Sequence, residues 1–332
     1  MNRSDKTVRY GITGFGRFAE KAIAPAIQQS HNSTLVAIHN RSMAKAKDAA
    51  SALNIPLAFN SVSNLVAHPD VDAVFIVSAN SAHCEETILA AEAGKHVLCE
   101  KPMAMNVAEC ERMIEACKQN NVKLMVGHMV RLSPLVKRMK ELVQSGAIGK
   151  IIRAESDFVY DRRLSSRAWL LDRKVAGGGP TFDVGVHCLD TLRYVLDDEV
   201  ISVKGELEPV ADGSRTESSS QLLLRFFRGT IATIFSSYAS PIRESRIEII
   251  GTEARISSVD FTVSGCQSQL RIEKRSTGGT PDIVIEEFDV PNLYTGEVNL
   301  FSDCIINNTE PSLSAENAVK NQYVLDQAMA LH

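Results

Sequence analysis

No run of about 18 apolar residues occurs in this 332-residue chain, so no part of it is expected to cross a bilayer as a helix. The first residues, Met1 to Val8, are charged and lead into a strand without the apolar core and small-residue cleavage site of a secretory signal. Basic residues are not in excess. The 36 Lys and Arg stand against 40 Asp and Glu, for a net charge of -4, which removes the electrostatic reason to expect nucleic acid or an anionic membrane as partner. The seven cysteines are odd in number and include neither a C-x-x-C pair nor zinc-site spacing. That usage fits the reduced cytoplasm, with cysteines acting as small buried hydrophobes, and it gives no reason to expect a metal. Repeats and low-complexity tracts are also missing. The composition is that of a soluble globular protein, 44% hydrophobic and 23% charged, long enough for about two domains and a large core. Its partner is expected to be a small molecule.

The first half alternates strand and helix six times, the pattern of a doubly wound parallel sheet. A strand at Val8–Thr13 runs into Gly14-Phe15-Gly16-Arg17-Phe18-Ala19 and then a helix, the context that a dinucleotide fingerprint requires. Gly14 makes the tight turn, Gly16 lets the backbone approach a pyrophosphate, Ala19 lets helix pack on sheet, and the helix N-terminus receives the phosphates. Pro25 is expected to kink that helix or mark its first break. The second strand ends at Asn40-Arg41-Ser42, where an acid would grip the adenosine ribose. There is no acid. Arg41 and Ser42 instead suit a 2′-phosphate, or Arg41 is solvated beside a helix-capping Ser42. Ser61 and Ser63 read as caps of the next helix. Asp72–Val77 is a continuously apolar buried strand ending in Ser78-Ala79-Asn80-Ser81-Ala82-His83. The strand at Val97 ends in Glu100-Lys101-Pro102, where proline stops the ladder and holds Lys101 at the strand tip. Ligands of open α/β sheets lie beyond that end of the strands, so Lys101 is the first candidate for chemistry.

From about Ile151 the character changes to a long series of strands, several alternating apolar and polar. They predict an α+β domain with a large, mostly antiparallel sheet that has one polar face. The domains are expected at 1–127 and 128–332, with His128 and Arg131 at the crossing and a closing helix over 315–331. Within the second domain, Gly177-Gly178-Gly179 precedes a helix with Thr181 as its expected cap. Asp183 and His187, four apart, share one face of it. A histidine beside a carboxylate can accept or deliver a proton near neutrality. Arg167 and Trp169, in the preceding loop, are candidates to line a substrate pocket, although Trp169 could equally be core.

Taken together, the glycine turn, Ser78 to His83, Glu100-Lys101-Pro102, the triple glycine and Asp183-x-x-x-His187 resemble the Gfo/Idh/MocA oxidoreductase family over nearly the whole chain. Gly177–Gly179, His187, Asp190-Thr191-Leu192-Arg193 and Asn292-Leu293-Tyr294 are most similar to its 1,5-anhydro-D-fructose reductase-like members. The resemblance implies a Rossmann domain binding NADP or NAD, hydride transfer to or from a sugar or cyclic polyol, and a homodimer or homotetramer formed through the open face of the second sheet. It places catalysis on Lys101, Asp183 and His187. Cofactor contacts fall on Gly14, Phe15, Gly16, Arg17, Phe18, Asn40, Arg41, Ser42, Ser78, Asn80, His83, Glu100 and Lys101. Substrate contacts fall on Lys101, His128, Arg131, Trp169, Asp183 and His187. Two departures stand out: Asn40 replaces the acid of NAD-preferring members, which favours NADP, and Ala79 stands where many members have proline. The competing readings are a non-catalytic nucleotide sensor and a glycosidase that retains its NAD.

Overall fold

The computed structural model describes residues 7–208, 215–276, 278 and 280–331, the side chain of Leu164 excepted. The chain divides into two compact units, the first running to His128 and taking back Tyr294–Gln322, the second formed by the remainder.

The first unit is built on six parallel strands: β1 (Val8–Thr13), β2 (Ser33–His39), β3 (Leu57–Phe59), β4 (Ala73–Ile76), β5 (His96–Cys99) and β6 (Leu124–Val126). Their order is β3-β2-β1-β4-β5-β6, so the direction of winding reverses between β1 and β4, where such sheets open a ligand crevice. Every residue of β4 is buried, as a strand covered on both faces requires. The helix after β1 changes character at the expected place. A π-type segment, Ala19–Ile23, passes into an α-helix, Ala24–Gln29, and Pro25, which has no N–H to donate, sits at that change inside the continuous helix. Ser42 caps the helix Met43–Ala52 through the Lys45 amide, whereas Ser61 precedes Val62–Val66 without a capping bond and Ser63 lies inside that helix.

The boundary expected at residue 128 is crossed by the C-terminal segment. Ser302, on the helix Leu293–Asn307, lies 2.8 Å from the Tyr10 hydroxyl and 2.7 Å from that of Ser33, and the Val126 amide donates to Leu313. These bonds join β1, β2 and β6 to residues about 190 to 290 positions later, a return that no local pattern announces. The closing helix, Ala315–Met329, is accordingly shared between the units.

The second unit carries an eight-stranded sheet: β7 (Ile151–Asp161), β8 (Val200–Glu208), β9 (Ser219–Phe226), β10 (Ile231–Ser237), β11 (Ala239–Gly251), β12 (Ala254–Val259), β13 (Cys266–Lys274) and β14 (Asp282–Val290). The order is β14-β13-β12-β11-β7-β10-β9-β8, with only β7 and β10 parallel. Alternation sets its two faces. Leu222, Leu224 and Phe226 of β9 and Ala232 and Ile234 of β10 are buried on one, the face to which β7 contributes Ala154, Ser156 and Phe158 beneath the helix Val186–Leu196. The other face is less polar than the alternation suggests. Leu223, Ile231, Phe235, Val259, Ile283 and Ile285 are exposed there, between ladders of charge such as Arg153–Glu155 and Arg271–Glu273. No helix among the described residues is long and apolar enough to cross a membrane.

Candidate active site

The first unit shapes its nucleotide end with backbone. Gly14 has φ +69°, and a Cβ there would meet Ser78 Cα at 2.4 Å, so the turn after β1 and the loop after β4 touch only because residue 14 has no side chain. Gly16 meets nothing nearer than 3.8 Å, and the helix begins immediately after it. Open space over a backbone that leads into a helix N-terminus is what a pyrophosphate needs, so these residues fit a dinucleotide. Phe15 is buried while Arg17 and Phe18 are exposed, and Phe18 meets Tyr294 edge-on at 5.6 Å.

Asn40 has a role the sequence did not disclose. Its Nδ2 donates to the Phe15 carbonyl at 2.7 Å and its Oδ1 accepts from the Ser42 amide at 2.9 Å, so this amide clamps the glycine turn to the end of β2. An aspartate could accept but not donate to that carbonyl. Arg41 is exposed, with no carboxylate partner among the described residues. Behind the turn, the Thr13 and Ser78 hydroxyls donate to one oxygen of Glu86 at 2.5 and 3.0 Å, and burial pushes the Glu86 carboxyl up despite those bonds.

Asn80 and His83 are 4% and 1% exposed. His83 places Nδ1 3.0 Å from the Pro102 carbonyl and Nε2 3.2 Å from that of Ser78, so its imidazole ties the loop after β4 to the one after β5. Burial holds its pKa below the usual histidine range. His83 thus acts as a strut between these two loops. Lys101 follows β5, half-buried, and its amide donates to Glu100 Oε2 at 3.1 Å. Glu100 is 7% exposed. His128 is also buried, its Nε2 3.2 Å from Asn321 Nδ2.

In the second unit, Asp183 is 5% exposed and surrounded by donors. Arg167 straddles its carboxylate at 3.0 and 3.1 Å, Tyr160 donates at 2.7 Å and Tyr238 at 3.3 Å. Burial pushes both phenols up, and the Asp183 charge beside them adds to the shift, so they stay protonated donors across the working range. Trp169 is half-buried with the Arg167 guanidinium 6.0 Å from its ring. His187 is 9% exposed, its ring 6.1 Å from that of Phe158. The helix bearing these two groups starts as a π-type turn, Thr181–Gly185. Thr181 is not its side-chain cap. That task falls to the fully buried Glu217, whose carboxylate accepts from the Gly179 and Thr181 amides at 2.9 and 3.1 Å. A Cβ on residue 179 would lie 2.1 Å from the Glu217 carbonyl oxygen, which accounts for the third glycine.

Arg131 has a partner that the sequence did not disclose. It is 8% exposed and grips Asp190 with bonds of 2.7 and 2.6 Å, so its charge is committed to the interior of the second unit. Tyr160, Tyr238, Glu217 and the Asn40 clamp were not found from sequence, since each acts on a group 15 or more positions away. No group of three or more His, Cys, Asp or Glu that could hold a metal occurs among the described residues.

Comparison with known proteins identifies the family. Residues 8–128 match the model of an oxidoreductase family with an NAD-binding Rossmann fold, and residues 136–257 match a GFO/IDH/MocA C-terminal domain. The chain is 30% identical to a 1,5-anhydro-D-fructose reductase of Ensifer adhaerens over 94% of its own length and 92% of that protein's. It is 26% identical to an NADP(+)-dependent D-xylose 1-dehydrogenase of Haloarcula marismortui, covering 96% and 91%. Among solved structures, the aldose-aldose oxidoreductase of Caulobacter crescentus, complexed with glycerol, superposes with a TM-score of 0.86 at 29% identity, covering 98% of this chain and 97% of that one.

Proposed function

Because this chain belongs to the GFO/IDH/MocA family of NAD(P)-dependent oxidoreductases, we propose that it transfers a hydride between NADPH and the ketone or hydroxyl carbon of a sugar or cyclic polyol. The observation that carries this reading is Lys101, a half-buried cation just beyond β5 in a sheet whose winding reverses at the adjacent β1–β4 pair. Negative charge grows on a carbonyl oxygen as it is reduced, so an ammonium aimed at that oxygen helps most in the transition state. His187 delivers the proton in reduction and takes it in oxidation. Asp183, already accepting from Arg167, Tyr160 and Tyr238, orients the proton-handling face and is a poor proton acceptor itself, because ionised and fully hydrogen-bonded carboxylates resist protonation.

The preference for NADPH rests on exposed Arg41 and on Asn40, whose amide is committed to the glycine turn. Replacing Arg41 by Ala should weaken NADPH by roughly 10- to 100-fold, the scale of a charge-assisted bond, and leave NADH nearly untouched. Equal losses for the two cofactors would refute that role. The sugar classes named for the relatives, anhydrofructose and xylose, set the first substrates to try. A screen of keto-sugars, aldoses and polyols, followed by NADPH and NADH absorbance, should find turnover with NADPH. Nucleotide binding without turnover on any of them would favour a sensor instead. The exposed Leu223, Ile231, Phe235 and Ile285 on the second sheet support self-association through that face. The odd number and the spacing of the cysteines, six of the seven buried, support residence in the reducing cytoplasm.

A further inference from the structure

His83 opens the helix His83–Glu92 of the first unit and is 1% exposed. Its two ring nitrogens face two backbone carbonyls, Nδ1 that of Pro102 at 3.0 Å and Nε2 that of Ser78 at 3.2 Å. A carbonyl can only accept, and a neutral imidazole carries one N–H, so only one of these contacts is a hydrogen bond unless the ring is charged. A charged ring would be a buried cation. Burial first, and the Lys101 ammonium with it, push the His83 pKa down against the pull of the carbonyls. Of the two carboxylates in the first turn of its helix, Glu85 pairs with Arg112, and Glu86 takes the Thr13 and Ser78 hydroxyls. The ring is therefore neutral and must choose a carbonyl. Pro102 is the closer one, and a bare nitrogen is repelled more by an oxygen the nearer it lies. The Pro102 contact is also buried, whereas that to Ser78 is only partly so, and a buried carbonyl without a donor has given up its water for nothing.

We propose that His83 is a positioning residue that donates from Nδ1 to the Pro102 carbonyl, with Nε2 unprotonated, and so fixes the backbone immediately after Lys101. Proline has no N–H, so the peptide group that follows Lys101 cannot be anchored by a donor of its own. The carbonyl of Pro102 is the next handle, and a shift there carries the root of the Lys101 side chain with it. The inference deepens the reading of Lys101 given above and rests on it.

Nitrogen-15 spectra of the full chain labelled at histidine, at neutral pH and without substrate, read the proton directly, with the His83 ring assigned through its own backbone. They should show a protonated Nδ1 and a bare Nε2. A bare Nδ1, or protons on both nitrogens, would overturn the proposal. Positioning is tested by kinetics with two amides that divide the ring between them, since asparagine places its N–H near the position of Nδ1 and glutamine near that of Nε2. His83→Gln should lower kcat about 10- to 100-fold, the scale of a small misplacement of a reacting group, with NADPH affinity by fluorescence titration changed less than about threefold. His83→Asn should restore most of that loss. Packing alone would favour glutamine, which is nearer to histidine in size. Equal losses in the two variants, a larger loss in His83→Asn, or no loss in either would show that His83 does not position Lys101. Should either variant not fold, the nitrogen spectra decide alone. They need no substrate, so failure to find a sugar that reacts would count against the proposed function and leave this inference to the nitrogen result.

Discussion

Asp183 in the second unit and Glu297 in the first are buried almost equally, at 5% and 0% exposure, yet their surroundings are opposite. Asp183 collects a guanidinium and two phenols, each reaching it from elsewhere in the unit. Glu297 has no donor among the described residues, and burial, with the Glu100 charge adding to it, holds its carboxyl well above the usual range. Burial alone would neutralise both. What separates them is the supply of hydrogen-bond donors among the described residues, a guanidinium and two phenols at Asp183 and none at Glu297.

The largest effect should come from the proton. His187→Ala should lower turnover by roughly 10²–10⁴ with little change in cofactor affinity, as removing a general acid or base does, and steady-state kinetics with NADPH checks it. A variant that keeps most of its turnover would leave His187 a packing residue against Phe158. Next in size is the cation. Lys101→Met should cost about 10²–10³ in turnover, by analogy with deleting one donor to a developing oxyanion, while fluorescence titration shows NADPH still bound to within about tenfold. Loss of NADPH binding would make Lys101 a cofactor anchor instead. The smallest test is Tyr160→Phe, which removes one of the bonds to Asp183. Stability measured by urea unfolding should fall by about 1 kcal/mol. No change would show that Asp183 does not depend on this phenol.

What could be read in the sequence follows the range over which each constraint acts. The glycine turn, the strand end ahead of Pro102 and the helix after the triple glycine are short-range devices, and each is legible because a turn, a strand end or a helix start dictates residue types within a few positions. The same reasoning does not reach partners that are set from afar. Arg131 looks like a polar residue at a domain crossing until Asp190, 59 positions on, takes its charge. Thr181 looks like a cap until Glu217 supplies the carboxylate from 36 positions on. Asn40 was noticed for the acid it is not, and its bond to Phe15 explains why an amide stands there. Nothing in residues 293–307 marks them as part of the first unit; small hydroxyls such as Ser302 that find buried partners near β1 and β2 do so.

The central claim is that this chain moves a hydride between NADPH and a sugar carbon. NADPH carrying deuterium at C4, prepared separately on each face and incubated with the reactive keto-sugar found in the screen, tests it most directly by mass spectrometry of the product. The account predicts one deuterium on the carbon of the new alcohol from one labelled face and none from the other. Product without label from either face, or cofactor that keeps all of its label while substrate is consumed, would contradict it.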